Sequence, residues 1–236
     1  MAVAIILAAG SGSRMNSDIA KQYIKINNKE VIYYSLDTFQ KNPNIENIVL
    51  VTRSEDVDYC KKNIVEKYGF TKVIDVITGG KERYNSVYSG INRIIGNCGS
   101  NEIVLIHDSA RPLVTGKMID EIILSADKYG ATAVGVPVKD TIKVVDENNI
   151  GIETPDRKNL YQIQTPQGFK IGILKEAYEK MLKNEDHNIT DDTMLVERYN
   201  GVKSKIIMGT YENIKITTAE DIKIAKIFLE KYFKKN

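Results

Sequence analysis

Cysteine and histidine are scarce in this chain of 236 residues. Cys60 and Cys98 form no CxxC pair and have no ligand cluster nearby, and the two histidines, His107 and His187, lie eighty positions apart. The scarcity excludes a disulfide framework and a zinc site, whose ligands come in closely spaced sets, and fits a reducing cytoplasm. An excess of either charge is also lacking, since 33 Lys and Arg face 31 Asp and Glu for a formal +2. Such a balance provides no broad basic field for nucleic acid, so any anion site must be local. Long apolar runs are missing too. Val3 to Ala9 is seven residues with no basic segment before it, too short for a signal peptide or membrane span, and reads as a buried strand. With no internal repeat or low-complexity linker, residues 1–236 are expected to form one domain.

What is present is an alternation. Short β-rich runs at Val3 to Ala9, Asn47 to Thr52, Val73 to Ile77, Ile103 to Ile106 and Ala131 to Val138 are separated by helix-length amphipathic segments. This rhythm predicts an α/β fold, Rossmann-like, with a mostly parallel sheet and helices on both faces. Ile119, Ile122, Ile123 and Ala126 place one apolar face on a helix over Thr115 to Tyr129 that ends at Gly130. Thr217 and Glu220 have capping-box spacing ahead of Ile222, Ala225 and Leu229, predicting a closing helix before the polar Lys234 to Asn236 end. The rhythm breaks at about residues 139–161. There β-prone Thr141 to Val145, turn-like Asp146 to Asn149 and then Gly151 to Pro155 predict an inserted hairpin. A lone hairpin is marginally stable, so a partner subunit is its natural packing surface.

The strongest local pattern follows the first strand: Ala8, Ala9, Gly10, Ser11, Gly12, Ser13, Arg14, Met15, then Lys21 and Gln22. Glycines let the backbone approach an anion and aim N–H groups at it, and Arg14 and Lys21 supply the charge to hold a triphosphate. A dinucleotide fingerprint needs glycine where Met15 stands, and a Walker A loop needs a GK[ST] triplet that the chain lacks. A glycine-rich turn with two solvated cations would give the same local pattern.

Ala8-Ala9-Gly10-x-Gly12-x-Arg14-Met15 with Lys21-Gln22 resembles the nucleotide-binding signature of sugar-phosphate nucleotidyltransferases. Six further matches follow in register: Gly79-Gly80-x-x-Arg83-x-x-Ser86-Val87, His107 to Pro112, Val136 to Thr141 with Asp156-Arg157, Gln164 to Gln167, Thr190-Asp191-Asp192 and Asn213 to Thr217. Over nearly the whole chain, order and spacing are similar to the 2-C-methyl-D-erythritol 4-phosphate cytidylyltransferase family. Two positions depart from its pattern. Ala20 replaces the usual proline before the loop lysine, which leaves the loop less constrained, and Ser109 replaces a usual alanine.

The resemblance implies transfer of a cytidylyl group from CTP to a sugar-alcohol phosphate, with Mg²⁺ as cofactor and Arg14, Lys21 and Lys215 as catalytic cations. Ala8, Ala9, Gly10, Ser11, Gly12, Gly79, Gly80, Arg83, Ser86 and Ser109 would bind the nucleotide. Asp108, just after a buried strand, would be the metal ligand, because a carboxylate beside a triphosphate needs a cation between them. For the acceptor the resemblance implies Arg111, Thr165 and Lys215, with Thr190 completing that end and Thr141 and Arg157 reaching in from the partner of a homodimer that exchanges arms. The acceptor phosphate is already anionic, so no general base is expected. Two alternatives stay open: a ribitol 5-phosphate cytidylyltransferase, and a nucleotide-binding regulatory module without transfer. No nucleic acid or membrane partner is expected.

Overall fold

A computed structural model describes the chain except residues 11–19, 98, 185–187 and 234–236 and the side chains of residues 97, 232 and 233. The order is β1 (Ala2–Leu7), β2 (Lys25–Ile26), β3 (Lys29–Glu30), α1 (Val31–Lys41), β4 (Ile45–Thr52), α2 (Val57–Cys60), β5 (Val73–Thr78), α3 (Arg83–Ile94), β6 (Ile103–Asp108), α4 (Gly116–Tyr129), β7 (Ala131–Pro137), β8 (Val144–Val145), β9 (Gly151–Glu153), β10 (Tyr161–Lys170), α5 (Ile171–Lys183), α6 (Asp192–Asn200), β11 (Lys205–Met208) and α7 (Ala219–Phe233).

Every strand expected from the apolar runs forms. They join a seven-stranded sheet in the order β11-β7-β10-β6-β1-β4-β5. All its pairings are parallel except those of β10, which runs antiparallel between β6 and β7. The alternating side chains of β1 explain why helices must cover both faces. Ala2, Ala4 and Ile6 pack with Ile32, Leu36 and Phe39 of α1 and Met118, Ile119 and Ile122 of α4. On the other face, Val3, Ile5 and Leu7 meet Val87 and Ile91 of α3, Leu174 and Tyr178 of α5 and Leu195 of α6. Ile5 and Ile6 are both fully buried, each worth about 1.5–3 kcal/mol relative to exposure.

Helix α4 begins and ends where its sequence says. Thr115 Oγ1 accepts a hydrogen bond from the Met118 N–H, and Gly130 closes the helix at φ 84°, a conformation costly for any residue with a Cβ. The cap of α7 lies one residue later than expected. Thr218 Oγ1 accepts from the Asp221 N–H, and Asp221 Oδ2 accepts from the Thr218 N–H, so the box is Thr218 and Asp221 rather than Thr217 and Glu220. Asp221 Oδ2 also takes the Thr217 N–H and hydroxyl, which draws the turn toward the shorter acid.

The hairpin forms as well, with β8 and β9 paired antiparallel. Asp146 Oδ1 accepts from the N–H groups of Asn148 and Ile150, and Asn149 adopts φ 62° to close the turn. Ile150 and Ile152 are 64% and 67% exposed, so nothing among the described residues covers these two hairpin side chains.

Candidate active site

The carboxyl ends of β1, β5 and β6 converge at one rim of the sheet, where open α/β folds bind ligands. Backbone bonds carry the strand geometry into the loops: Ala8 N–H donates to Val51 O, Gly79 N–H to Thr52 O, and Ser109 N–H to Leu7 O, at 2.7, 2.7 and 2.9 Å. Between these loops lies a cavity of about 280 Å³. Its walls bring together Ala8, Ala9, Gly10, Lys21, Gly80, Arg83, Ser86, Asp108, Ser109 and Lys215. Expected nucleotide, catalytic and metal residues from four distant stretches of sequence thus meet in one place. Arg14, Ser11 and Gly12 lie outside the described residues.

The two glycines before α3 are there for close approach. A Cβ on Gly79 would sit 2.5 Å from Ser86 Oγ and 3.0 Å from Ala9 Cβ, and one on Gly80 would overlap Asn85. Ser86 is buried, and its hydroxyl accepts from the Gly80 N–H at 3.2 Å, so it braces the loop. Ala20 sits at φ −60° directly ahead of Lys21. That is the value a proline ring would impose, so the replaced proline leaves no backbone distortion there. Gln22, 1% exposed, donates to Ala8 O at 2.7 Å and Gly10 O at 3.4 Å, tying the segment after the glycine loop to the segment before it.

Lys215 is placed by anchors on either side. Asn213, fully buried, donates to Gln164 Oε1 and Thr165 O, both at 3.0 Å, and its own carbonyl receives Arg111 Nη1 at 2.8 Å. Ile216 N–H donates to Ala110 O at 2.8 Å, and its side chain is buried. Held at both ends, Lys215 Nζ lies 2.7 Å from Asp108 Oδ2. Arg83 completes the cluster, with Nε 3.5 Å from Asp108 Oδ1 and Nη1 2.7 Å from Asp192 Oδ2.

Burial alone would favour a protonated Asp108, but Arg83 and Lys215 overcome it and hold the carboxyl well below its usual range. Burial also works against the Arg83 cation, and there the facing Asp192 and Asp108 charges win and raise its pKa. His107 is wholly buried, and desolvation pushes its imidazole down to about 3. Neutral His107 fits its partners as one proton pattern. Nε2–H donates to Arg111 O, Nδ1 accepts from the Thr165 hydroxyl, and Thr165 Oγ1 accepts from the Asp108 N–H.

The expected acceptor residues are distributed. Arg111 lines a neighbouring cavity that shares Lys215, and its buried Nε has no hydrogen-bond partner among the described residues. Thr190 lines a third cavity that shares Arg83. Thr165 is 4% exposed, and its hydroxyl is spent on His107 and Asp108. Thr141 and Arg157 sit on the exposed arm, away from these cavities of their own chain, and Arg157 Nη1 donates to Lys139 O at 2.7 Å. Sequence reasoning assigned no role to His107, Gln22, Asp192 or Tyr178. The first three lie inside matched motifs, and only Tyr178 carries no local signal.

A metal has one opening here. Among the described residues no three His, Cys, Asp or Glu side chains cluster. Mg²⁺ commonly takes one or two carboxylates, with water and substrate phosphates filling its shell. Asp108 Oδ2 is occupied by Lys215, whereas among the described residues Oδ1 has only the long Arg83 contact, so one carboxylate oxygen fits that demand.

Cations gathered around a carboxylate and a close-approach glycine loop, at this rim of a mostly parallel sheet, define a nucleotidyltransferase. A family profile described as 2-C-methyl-D-erythritol 4-phosphate cytidylyltransferase matches residues 2–231, and the chain belongs to that family. It is 48% identical over 228 residues to the enzyme so named from Caldanaerobacter subterraneus subsp. tengcongensis, covering 97% of this chain and 98% of that one. The Clostridium botulinum (strain Langeland) enzyme of the same name is 46% identical over 96% of each chain. Among solved structures, the 4-diphosphocytidyl-2C-methyl-D-erythritol synthase of Anaerococcus prevotii superimposes with a TM-score of 0.84 at 35% identity, covering 98% of this chain and 96% of that one.

Proposed function

We propose that this chain transfers the cytidylyl group of CTP to 2-C-methyl-D-erythritol 4-phosphate, giving 4-diphosphocytidyl-2-C-methyl-D-erythritol and pyrophosphate. The observation that carries the reading is Lys215, pinned on both sides and set against Asp108 in a cavity also lined by Lys21 and Arg83. An oxygen of the acceptor phosphate attacks the α-phosphorus of CTP in line, and the bond from that phosphorus to the bridging β-phosphate oxygen breaks. The nucleophile is already an anion, so catalysis is positioning and charge stabilisation. Lys21, Lys215 and Arg14 hold the negative charge that grows on the α-phosphate. Gly79, Gly80, Arg83, Ser86, Ser109 and the Ala8 to Gly12 loop hold the nucleotide. Mg²⁺, when bound at Asp108, supplies charge that orients the triphosphate.

Arg111 and Thr190 reach the acceptor from its own chain, with Thr165 bracing the floor beneath. Arg157 and Thr141 serve the partner's site in a homodimer with crossed arms. The exposed isoleucines of the hairpin support this, because two strands alone do not form a stable unit. The chain then acts as one nucleotidyltransferase domain with an inserted arm at about residues 139–161, working in the cytoplasm. No helix among the described residues is long and apolar enough to cross a membrane.

Pyrophosphate release from CTP with 2-C-methyl-D-erythritol 4-phosphate, measured with and without Mg²⁺, tests the reading. Metal-dependent turnover is expected. Faster turnover with ribitol 5-phosphate would overturn the acceptor assignment, and no turnover with either would favour a regulatory module.

A further inference from the structure

Asp192 does not line the main cavity, yet it is a buried carboxylate paired with Arg83 at the cavity's edge. It is 1% exposed and opens α6 directly after the cap residue Asp191, whose side chain accepts from the Met194 N–H at 2.8 Å. Tyr178, buried on α5, donates its hydroxyl to Asp192 Oδ1 at 2.5 Å. Gln167 of β10 ties down the same turn, accepting the Asp192 N–H at 3.2 Å and donating to Asp191 Oδ2 at 2.9 Å. The start of α6 is thus fixed to both β10 and α5. From it the second Asp192 oxygen reaches Arg83 Nη1 at 2.7 Å.

We infer that Asp192, held by Tyr178, is a positioning residue that sets Arg83 and keeps it from displacing Lys215 on Asp108. Arg83 divides its guanidinium unequally, 2.7 Å from Asp192 and 3.5 Å from Asp108. The shorter ion pair is with Asp192, and the Nε hydrogen bond to Asp108 is the long one. The effect is that Asp108 keeps a short pair with Lys215 on its other oxygen. With Asp192 neutral, the full charge of Arg83 would fall on Asp108, and two cations would compete for one carboxylate. Stability alone is a weak reason for such a site, because well-packed apolar groups commonly replace buried ion pairs without loss. Aiming a cation is a sufficient one. Thr190, two positions before Asp192, lines the cavity that Arg83, Tyr178 and Asp192 also line, so the turn expected to meet the acceptor is the turn that holds Arg83.

The inference rests on the assignment of Arg83 to the nucleotide end of the site, and a double-mutant cycle separates the two. Asp192→Asn, Arg83→Gln and the double variant are compared in kcat/KM for CTP, with melting temperature recorded for each. Asp192→Asn is expected to lower kcat/KM about tenfold or more, and to add less than about twofold once Arg83 is Gln. Tyr178→Phe should show a smaller loss in the same direction that also vanishes in the Arg83→Gln background. It carries the test by itself if Asp192→Asn does not fold. A purely structural role would lower the melting temperature and multiply the activity losses. Equal factors in both backgrounds, with Arg83→Gln itself impaired, would overturn the inference and leave the role of Arg83 intact. An Arg83→Gln variant with wild-type kcat and KM would remove both.

Discussion

Replacing Lys215 with alanine separates catalysis from binding and from stability. Its ammonium lies 2.7 Å from a carboxylate that is itself mostly buried, and the Asn213 and Ile216 anchors do not depend on the lysine side chain. The backbone should therefore stay in place when the charge is removed. Two unit charges about 4 Å apart at an effective dielectric near 20 interact by about 4 kcal/mol, which sets the scale for a cation beside an α-phosphate. Only the part of that energy gained as the transition state forms accelerates transfer, and losing one such group typically costs about 2–4 kcal/mol, or roughly 30- to 1,000-fold in kcat. The stability cost should be smaller. Lys215 is 37% exposed, and Asp108 keeps Arg83 as a partner, so a loss under about 2 kcal/mol is expected after solvent screening. Steady-state kinetics with varied CTP, beside a thermal melt, gives all three quantities. A variant with near-wild-type kcat and a raised KM would refute the catalytic role, because it would place Lys215 in ground-state binding alone.

Three further outcomes are expected. The folded-state pKa of His107, about 3, lies below the ordinary imidazole value, so the unfolded chain takes up that proton first as pH falls. Its contribution is present above about pH 6.5 and is lost progressively toward pH 3, by up to about 5 kcal/mol. Denaturant melts across this window should be steeper in pH for wild type than for His107→Gln, and parallel curves would sink the claim. Gly79→Ala should cost about 1–3 kcal/mol and raise the KM for CTP, because its Cβ would stand 2.5 Å from Ser86 Oγ. Unchanged melting and KM would mean the loop gives freely. Mixing Arg157→Ala with Lys21→Ala chains should restore activity toward half the wild-type rate per mixed dimer, since crossed arms leave one site with neither defect. Verified subunit exchange without recovery would reject the crossed arms.

The parallel core of the sheet was legible because its strands are continuous apolar runs, buried on both faces, and α4 because Thr115 and Gly130 mark its ends. Strand β10 was not. Pro166 and Gly168 interrupt it, its register shifts between Ile163 and Gln167, and its buried glutamines read as loop until Asn213 and Asp191 appear as their partners. The arm was legible from turn chemistry around Asp146 to Asn149, and its marginal stability pointed to a partner subunit, although its place in a shared active site came only from the resemblance. In the site, Asp108 could be placed from strand and loop grammar, as the first polar end of a buried strand. Lys21 and Lys215 look like any surface lysine in sequence, and only the motif match singled them out. The pairing of Asp192 with Tyr178 and Arg83 had no sequence signal, because it joins three helices that only the packed sheet brings together.

In the proposed reaction the acceptor phosphate attacks the α-phosphorus of CTP directly. This step is tested by turnover of 2-C-methyl-D-erythritol 4-phosphate carrying ¹⁸O in its phosphate, with the products resolved by ³¹P NMR and mass spectrometry. Direct attack leaves all of the label in 4-diphosphocytidyl-2-C-methyl-D-erythritol and none in pyrophosphate. Label in pyrophosphate, or consumption of CTP without the labelled diphosphate product, would contradict it.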